Sequence, residues 1–164
     1  MKKVILDVLK TIIESLLVVW LIMTFVAIPV NVVGQSMYPT LHEGDFGFGA
    51  VFTKWSEPKR FDIVILENEN TKEKIVKRIV GLPNETVEYH DNKLYINGEY
   101  IEEPFVVDNY TDDMKIVLGE DDYFCLGDNR SRSKDSRYYG PFSKKDIVAR
   151  KIFVAFPFDN LGLK

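Results

Sequence analysis

The chain has 164 residues, with 21 Lys+Arg against 25 Asp+Glu for a formal net charge of −4, and one cysteine. That length holds one domain with a real core once any anchor is subtracted, and the mild acidity lacks the basic footprint of a nucleic-acid binder. A lone cysteine excludes an intrachain disulfide. Two histidines and one cysteine cannot close a zinc site; a carboxylate-bound metal stays open but no spacing suggests one, and no cofactor is expected.

The first element is an apolar run. Leu16 to Val30 carries no charge, and extending back to Thr11 admits only Glu14. Twenty helical residues span about 30 Å, the thickness of a bilayer's hydrocarbon core. Asp7, Lys10 and Glu14 make the first half amphipathic. Lys2, Lys3 and Lys10 precede the run, and no charge follows it until Glu43. The positive-inside bias then sets a cytoplasmic tail over 1–10, a transmembrane anchor over 11–30 and an extracytoplasmic domain over 31–164. Two other readings stand beside this one. The run is a cleaved signal peptide, with Val32 and Gly34 as a small-residue site before Gln35, or it is a buried core helix. Cleavage there would sever Ser36 from its anchor.

Past residue 40 the pattern changes to short strands and turns. Phe46, Phe48, Phe52 and Trp55 fall in a turn-rich stretch and serve either as core aromatics or as lipid contacts. Strands are expected at 61–66, 75–81, 86–89, 94–96, 99–101, 122–126 and 147–154, with Asn97-Gly98 as a hairpin turn. The polar stretch 68–74 joins two of these strands, and 108–119 reads as a loop excursion. Ser143 to Ile147 suits one helical turn, and Cys125 a small core residue. No long stretch after residue 31 keeps a 3.6-residue period, so the domain is mostly β.

Three segments carry chemistry. Gly34-Gln35-Ser36-Met37-Tyr38-Pro39-Thr40-Leu41 places a hydroxyl between a permissive glycine and a stiffening proline. Most serines in such settings are ordinary loop residues. Ile75-Val76-Lys77-Arg78-Ile79 places Lys77 on one strand face with Ile75 and Ile79, while Arg78 points the other way and stays charged. Lys77 is either a snorkelling surface lysine or a buried one. Burial would lower its pKa and leave a neutral amine able to take a serine's proton. The third segment runs from Gly127 to Pro141. Its charges cannot all be core, and Asp135 and Arg137 are placed to pair and pin a loop. Phosphate binding there lacks a glycine cradle running into a helix.

Together these segments resemble type I signal peptidases, the membrane-anchored leader peptidases with a Ser/Lys dyad. The resemblance covers the anchor, Gly34–Leu41, Val76–Glu85, the Tyr95-Ile96-Asn97-Gly98 hairpin and Gly127–Arg137, in family order. The single anchor and short length look like the Gram-positive form. It implies a mostly β, barrel-like catalytic domain that binds its substrate as an added strand. It also implies a serine endopeptidase that cuts exported preproteins after small residues at positions −1 and −3. Ser36 matches the nucleophile, Lys77 the general base and Ser133 the serine that orients the lysine amine. Asp135 and Arg137 match a structural ion pair beside the site. The Ser36 N–H would be one oxyanion donor. Where some relatives have a donor hydroxyl, this chain has Gly34, and a bound water is an alternative source. Val32, Gly34, Leu41, Ile75 and Val76 are the expected substrate-groove residues.

Position supports that substrate. Ser36 lies six residues beyond Val30, so even a fully extended chain keeps it within roughly 20 Å of the hydrocarbon edge. A signal peptide's apolar core ends at the same level. The expected partners are therefore preproteins and the lipid bilayer, with no nucleic acid, at the extracytoplasmic face of the cell membrane. Other readings are an anchored β-module that binds exported chains without cutting, a Ser/Lys self-cleaving repressor, and a Ser/His/Asp hydrolase using His42 or His90.

Overall fold

The computed structural model describes residues 2–67, 72–107 and 110–164, without the side chains of Met23, Thr24, Lys54 and Trp55. The expected link at 68–71, the start of the 108–119 excursion and the lipid role considered for Trp55 lie outside the described residues.

Helix α1 spans Lys2–Phe25. Its leucines, lysines and Glu14 favour the helix, and no internal Gly or Pro breaks it. Thr11 and Ser15 donate their hydroxyls to carbonyls one turn back, at 3.0 and 2.8 Å. Apolar side chains are exposed along its length, from Val4 at 65% through Ile12 at 49% to Trp20 at 59%. That rules out the buried core helix. Among the described residues no helix is long and apolar enough to cross a membrane.

The expected anchor limits of 11 and 30 do not match this helix, which starts earlier and ends sooner. Ala27–Asn31 is strand β1, paired antiparallel with β2, Phe46–Ala50. Pro29 cannot continue a helix's hydrogen bonding, and β2 supplies partners for the backbone groups around it. The Phe46–Ala50 stretch, read from sequence as turn, is a strand for a packing reason. A Cβ at Gly47 would strike the Phe153 carbonyl, and one at Gly49 the Ile65 side chain. The glycines that suggested a turn are there because neighbouring strands approach closely.

Five further strands join this sheet around a central one. They are β3 Ile63–Glu67, β4 Lys74–Gly81, β9 Asp122–Leu126, β10 Phe142–Ser143 and β12 Gly162–Leu163, built about β11, Ile147–Phe156. The order is β1-β2-β11-β3-β4-β9-β10, with β12 also on β11. A second sheet has the order β7-β6-β5-β8, from Glu99–Ile101, Lys93–Ile96, Thr86–His90 and Met114–Val117. Asn97 and Gly98 both take positive φ, 52° and 85°, at the expected hairpin. The excursion at 108–119 is corrected by β8, whose alternating half-exposed side chains hid it. Residues 144–146 form the single turn expected near Ser143.

Strand β3 shows why the large sheet is buried on both faces. Ile63 and Ile65 enter one core with Val30, Val32, Met37 and Leu41. Val64 and Leu66, pointing the other way, enter a second core with Ile79, Tyr123 and the fully buried Cys125. A third core, around Val80, Val87, Tyr89 and Phe124, joins the two sheets.

Candidate active site

Ser36 sits in the loop of the β1–β2 hairpin. The ladder continues past the strands, with Val32 N–H donating to Asp45 O at 2.8 Å and Gly44 N–H to Val32 O at 2.9 Å. Beyond it, Met37 and Leu41 are buried in the first core. Apolar anchors on the far side of the loop therefore fix the short turn that carries the hydroxyl. Gly34 has φ +81° and nothing within 4 Å of where a Cβ would stand, so the approach to Ser36 is open there.

Lys77 comes from β4, opposite Val64 of β3. Its Nζ lies 2.9 Å from Ser36 Oγ and donates to Val76 O at 2.9 Å. The residue is 3% exposed. Burial lowers its pKa to about 8, partly opposed by the negative charges of Asp135 and Asp128. The snorkelling alternative is excluded by that burial. Loss of water penalises the ammonium more than the amine.

The third segment wraps this pair. Asn129 N–H donates to Ser36 O at 3.0 Å. Asp135 is fully buried and accepts from Gly127 N–H at 3.1 Å. Arg137 grips Asp135 with Nε and Nη2, both at 2.9 Å, and reaches back to Arg130 O at 2.7 Å. Burial disfavours the Asp135 carboxylate, but Arg137 and these donors hold its pKa below the ordinary range. Ser133 Oγ is buried against Gly127 and does not bond Lys77; its hydroxyl lies beside the Asp135 carboxylate and helps to hold that carboxyl's pKa down. The Lys77 amine is instead oriented by Ser36 and the Val76 carbonyl.

A second group of residues was not singled out from the sequence. Arg78 does point away from Lys77, but it is buried. Its Nε and Nη2 hold Asp128 at 2.8 and 2.7 Å, and Thr40 Oγ1 donates to the same carboxylate at 2.5 Å. The Arg78 guanidinium also stacks 4.0 Å from the Phe105 ring centroid. This cluster ties the Ser36 loop to β4 and to the third segment. Arg130 similarly ties that segment to the second sheet, through Glu103 at 2.5 Å and Tyr89 at 2.9 Å. The only sequence signal was charge density beside Gly127. Partners 50 residues apart leave no local spacing to read.

A cleft of about 150 Å³ runs up to the pair, lined by Asn31, Val32, Val33, Ser36, Met37 and 74–77. Of the expected groove residues, Val32, Ile75 and Val76 line it and Gly34 adjoins it. Leu41 does not, because it lies fully buried beneath, in the first core. Strand β9 pairs with β4 only from Arg78 onward, so among the described residues 74–77 pair with β3 alone. One β4 edge therefore faces the cleft unpaired. A larger cavity of about 460 Å³, lined by Met114, Phe124 and Arg137 among others, contains neither Ser36 nor Lys77.

Neither histidine lines this cleft. His42 packs edge-on against Tyr38 in an exposed turn, and His90 sits on the second sheet 2.9 Å from Asp113. Among the described residues no group of three or more His, Cys, Asp and Glu could hold a metal ion.

Comparison with known proteins gives one answer. A model of the family described as "Signal peptidase, peptidase S26" matches residues 5–156. The chain is 40% identical to signal peptidase I of Bacillus amyloliquefaciens over 173 aligned positions, covering 98% of this chain and 92% of that one. It is 38% identical to signal peptidase I S of Bacillus subtilis strain 168, at 98% and 94% coverage. A crystal structure of a signal peptidase I from Enterococcus faecalis V583 superposes with a TM-score of 0.54 at 36% identity. That match covers 58% of this chain and 97% of the other.

Proposed function

The chain belongs to the signal peptidase family, peptidase S26, and from that premise we propose that it removes signal peptides from exported preproteins with Ser36 as nucleophile and neutral Lys77 as general base. The observation that carries this reading is the 2.9 Å contact between Ser36 Oγ and a buried lysine amine. Lys77 Nζ takes the hydroxyl proton as Ser36 Oγ attacks the scissile carbonyl. The amine then gives that proton to the leaving nitrogen, leaving an acyl-enzyme. Lys77 next deprotonates the water that releases the acyl group. The Ser36 N–H serves as oxyanion donor. Gly34 contributes no side chain, and a water is the proposed second donor. Ser133 is the proposed partner of Lys77 during turnover, since its hydroxyl is buried on Gly127, the glycine that also packs on the Ser36 carbonyl.

Substrate is proposed to enter as an added strand along the free β4 edge at 74–77. Alternate side chains of such a strand face the cleft wall. A volume of about 150 Å³ lined by Val32, Ile75 and Val76 suits alanine-sized residues at −1 and −3.

Helix α1 is the proposed membrane anchor, with the catalytic domain following on the extracytoplasmic face. The helix's twenty-four residues span roughly 36 Å, and its exposed apolar side chains favour lipid although length and apolarity together fall short of a typical span. The Lys10 and Glu14 side chains pair at 3.8 Å, which lowers the cost of both near the interface. The exposed Phe46, Phe52, Phe153 and Phe156 are proposed to rest against lipid headgroups. Protease protection of the first residues in sealed vesicles tests the topology.

The activity is tested by cleaving a purified preprotein with the full chain in liposomes, with Ser36→Ala and Lys77→Ala alongside. One cut after a small residue, lost in both variants, is expected. Cleavage surviving in Lys77→Ala would end the dyad assignment.

A further inference from the structure

Arg132 holds an exposed positive charge next to the nucleophile, and nothing in the chemistry above uses it. The short 3₁₀ turn 130–132 is braced by Arg132 N–H to Asn129 O at 3.2 Å, and Asn129 N–H in turn holds the Ser36 carbonyl. From that turn the Arg132 guanidinium reaches Gln35, the residue before Ser36, with Nη1 donating to Oε1 at 2.9 Å. The side chain thus spans from the third segment to the nucleophile's loop.

Its charge is uncompensated where its neighbours' charges are not. Arg130 pairs with Glu103, Arg137 with Asp135 and Arg78 with Asp128. Arg132 has no carboxylate within ion-pair distance among the described residues. Lys134, also exposed, only overhangs the Tyr138 ring at 5.5 Å. Four of the five guanidinium N–H groups of Arg132 remain available beyond the Gln35 contact.

Position decides what this charge meets. The cleft between 31–33 and 74–77 has Ser36 in its lining, and neither Gln35 nor Arg132 lines it. Residues before the cut fill the cleft, so residues after the cut leave across the remaining side of Ser36. Two extended residues cover about 7 Å, comparable to the reach of an arginine held at Gln35. The geometry points to Arg132 as a specificity-determining residue that favours an acidic side chain at the first or second position of the mature chain.

This inference rests on the signal peptidase reading, and the test separates the two. One preprotein is made with Asp, Asn or Lys at each of those two positions. Pairs compete in one reaction with wild type, Arg132→Gln, Arg132→Glu and Lys134→Gln. Product ratios read kcat/KM ratios independently of the active fraction, so partial misfolding of a variant does not disturb them. Wild type is expected to favour Asp over Lys by about threefold, the scale of one exposed ion pair. The preference should fall toward unity at 1 M salt, where the screening length is about 3 Å. Arg132→Gln should abolish it, Arg132→Glu reverse it, and Lys134→Gln preserve it. Cleavage with the same ratio in Arg132→Glu, or a ratio that follows Lys134 instead, overturns the assignment while leaving the peptidase intact. Absence of cleavage of every preprotein by wild type overturns both.

Discussion

The backbone of Ser36 is held from the far end of the sequence: its carbonyl oxygen accepts from Asn129 N–H at 3.0 Å. Gly127, two residues before that donor, packs directly on the same carbonyl. A Cβ at Gly127 would sit 2.5 Å from Ser36 O and would collide with Ser133 Oγ. The position of Ser36 is therefore set by a glycine outside its own loop.

Gly127→Ala should cost activity without unfolding the chain. Overpacking of this kind typically costs about 1–3 kcal/mol, and here the displaced atoms belong to Ser36 and Ser133. A fall in kcat of tenfold or more is expected, with an unchanged far-UV circular dichroism spectrum. Full activity in this variant would show that the Ser36 carbonyl tolerates displacement.

The rate should rise with pH through the Lys77 transition. Its pKa is lowered to about 8, so about a tenth of the amine is neutral at pH 7. Rates of kcat/KM should climb close to tenfold per pH unit below that midpoint and level off above about pH 9. A profile that peaks at pH 5 would rule out an amine base.

Lys77 also costs stability, and in a pH-dependent way. Below about pH 8 the amine is protonated in both folded and unfolded chains, and the folded state bears the full penalty of burying the charge. Between about 8 and the unfolded value of 10.5 the folded chain binds fewer protons, so wild-type stability rises with pH. Lys77→Met removes the penalty. It should therefore be the more stable protein at pH 7, by roughly 3 kcal/mol at most. That advantage should shrink from pH 8 to 10.5. Denaturant unfolding at pH 7 and pH 10 measures it, and an equal advantage at both would contradict the assigned burial.

Breaking the Arg78–Asp128 pair should be severe. Asp128 is fully buried and the arginine nearly so, at 0% and 10% side-chain exposure. Removing one partner of such a pair typically costs about 3–5 kcal/mol, because the other charge is left buried. Asp128→Ala should unfold at much lower denaturant than wild type. The double variant Asp128→Leu, Arg78→Met should recover much of the loss. No recovery would mean that the Thr40 and Phe61 contacts of Arg78 matter more than the pair.

Most strands were legible in the sequence because β-branched runs with period-2 patterning and the Asn97-Gly98 turn are local signals. The strands missed were those whose residues answer to distant neighbours. The glycines of β2 make room for Phe153 and Ile65, and β8 is a half-exposed strand completing the second sheet on β5. The helix boundary was misplaced for a related reason. Ile28 and Val30 are as apolar as the helix before them, and only pairing with β2 makes them a strand.

The sequence by itself determined which residue types were available for chemistry: a serine after a flexible glycine, a lysine amid apolar strand residues, and a charged segment with Asp135 and Arg137. Only the tertiary structure decided that Ser36 and Lys77 meet at 2.9 Å. It alone placed Leu41 in the core rather than in the groove and gave Arg78 a buried partner in Asp128. The physical reason is that a lowered lysine pKa is a property of burial, and burial is decided by strands and loops far apart in the chain. A residue's chemical type is written in the sequence, whereas its dielectric surroundings are created by packing.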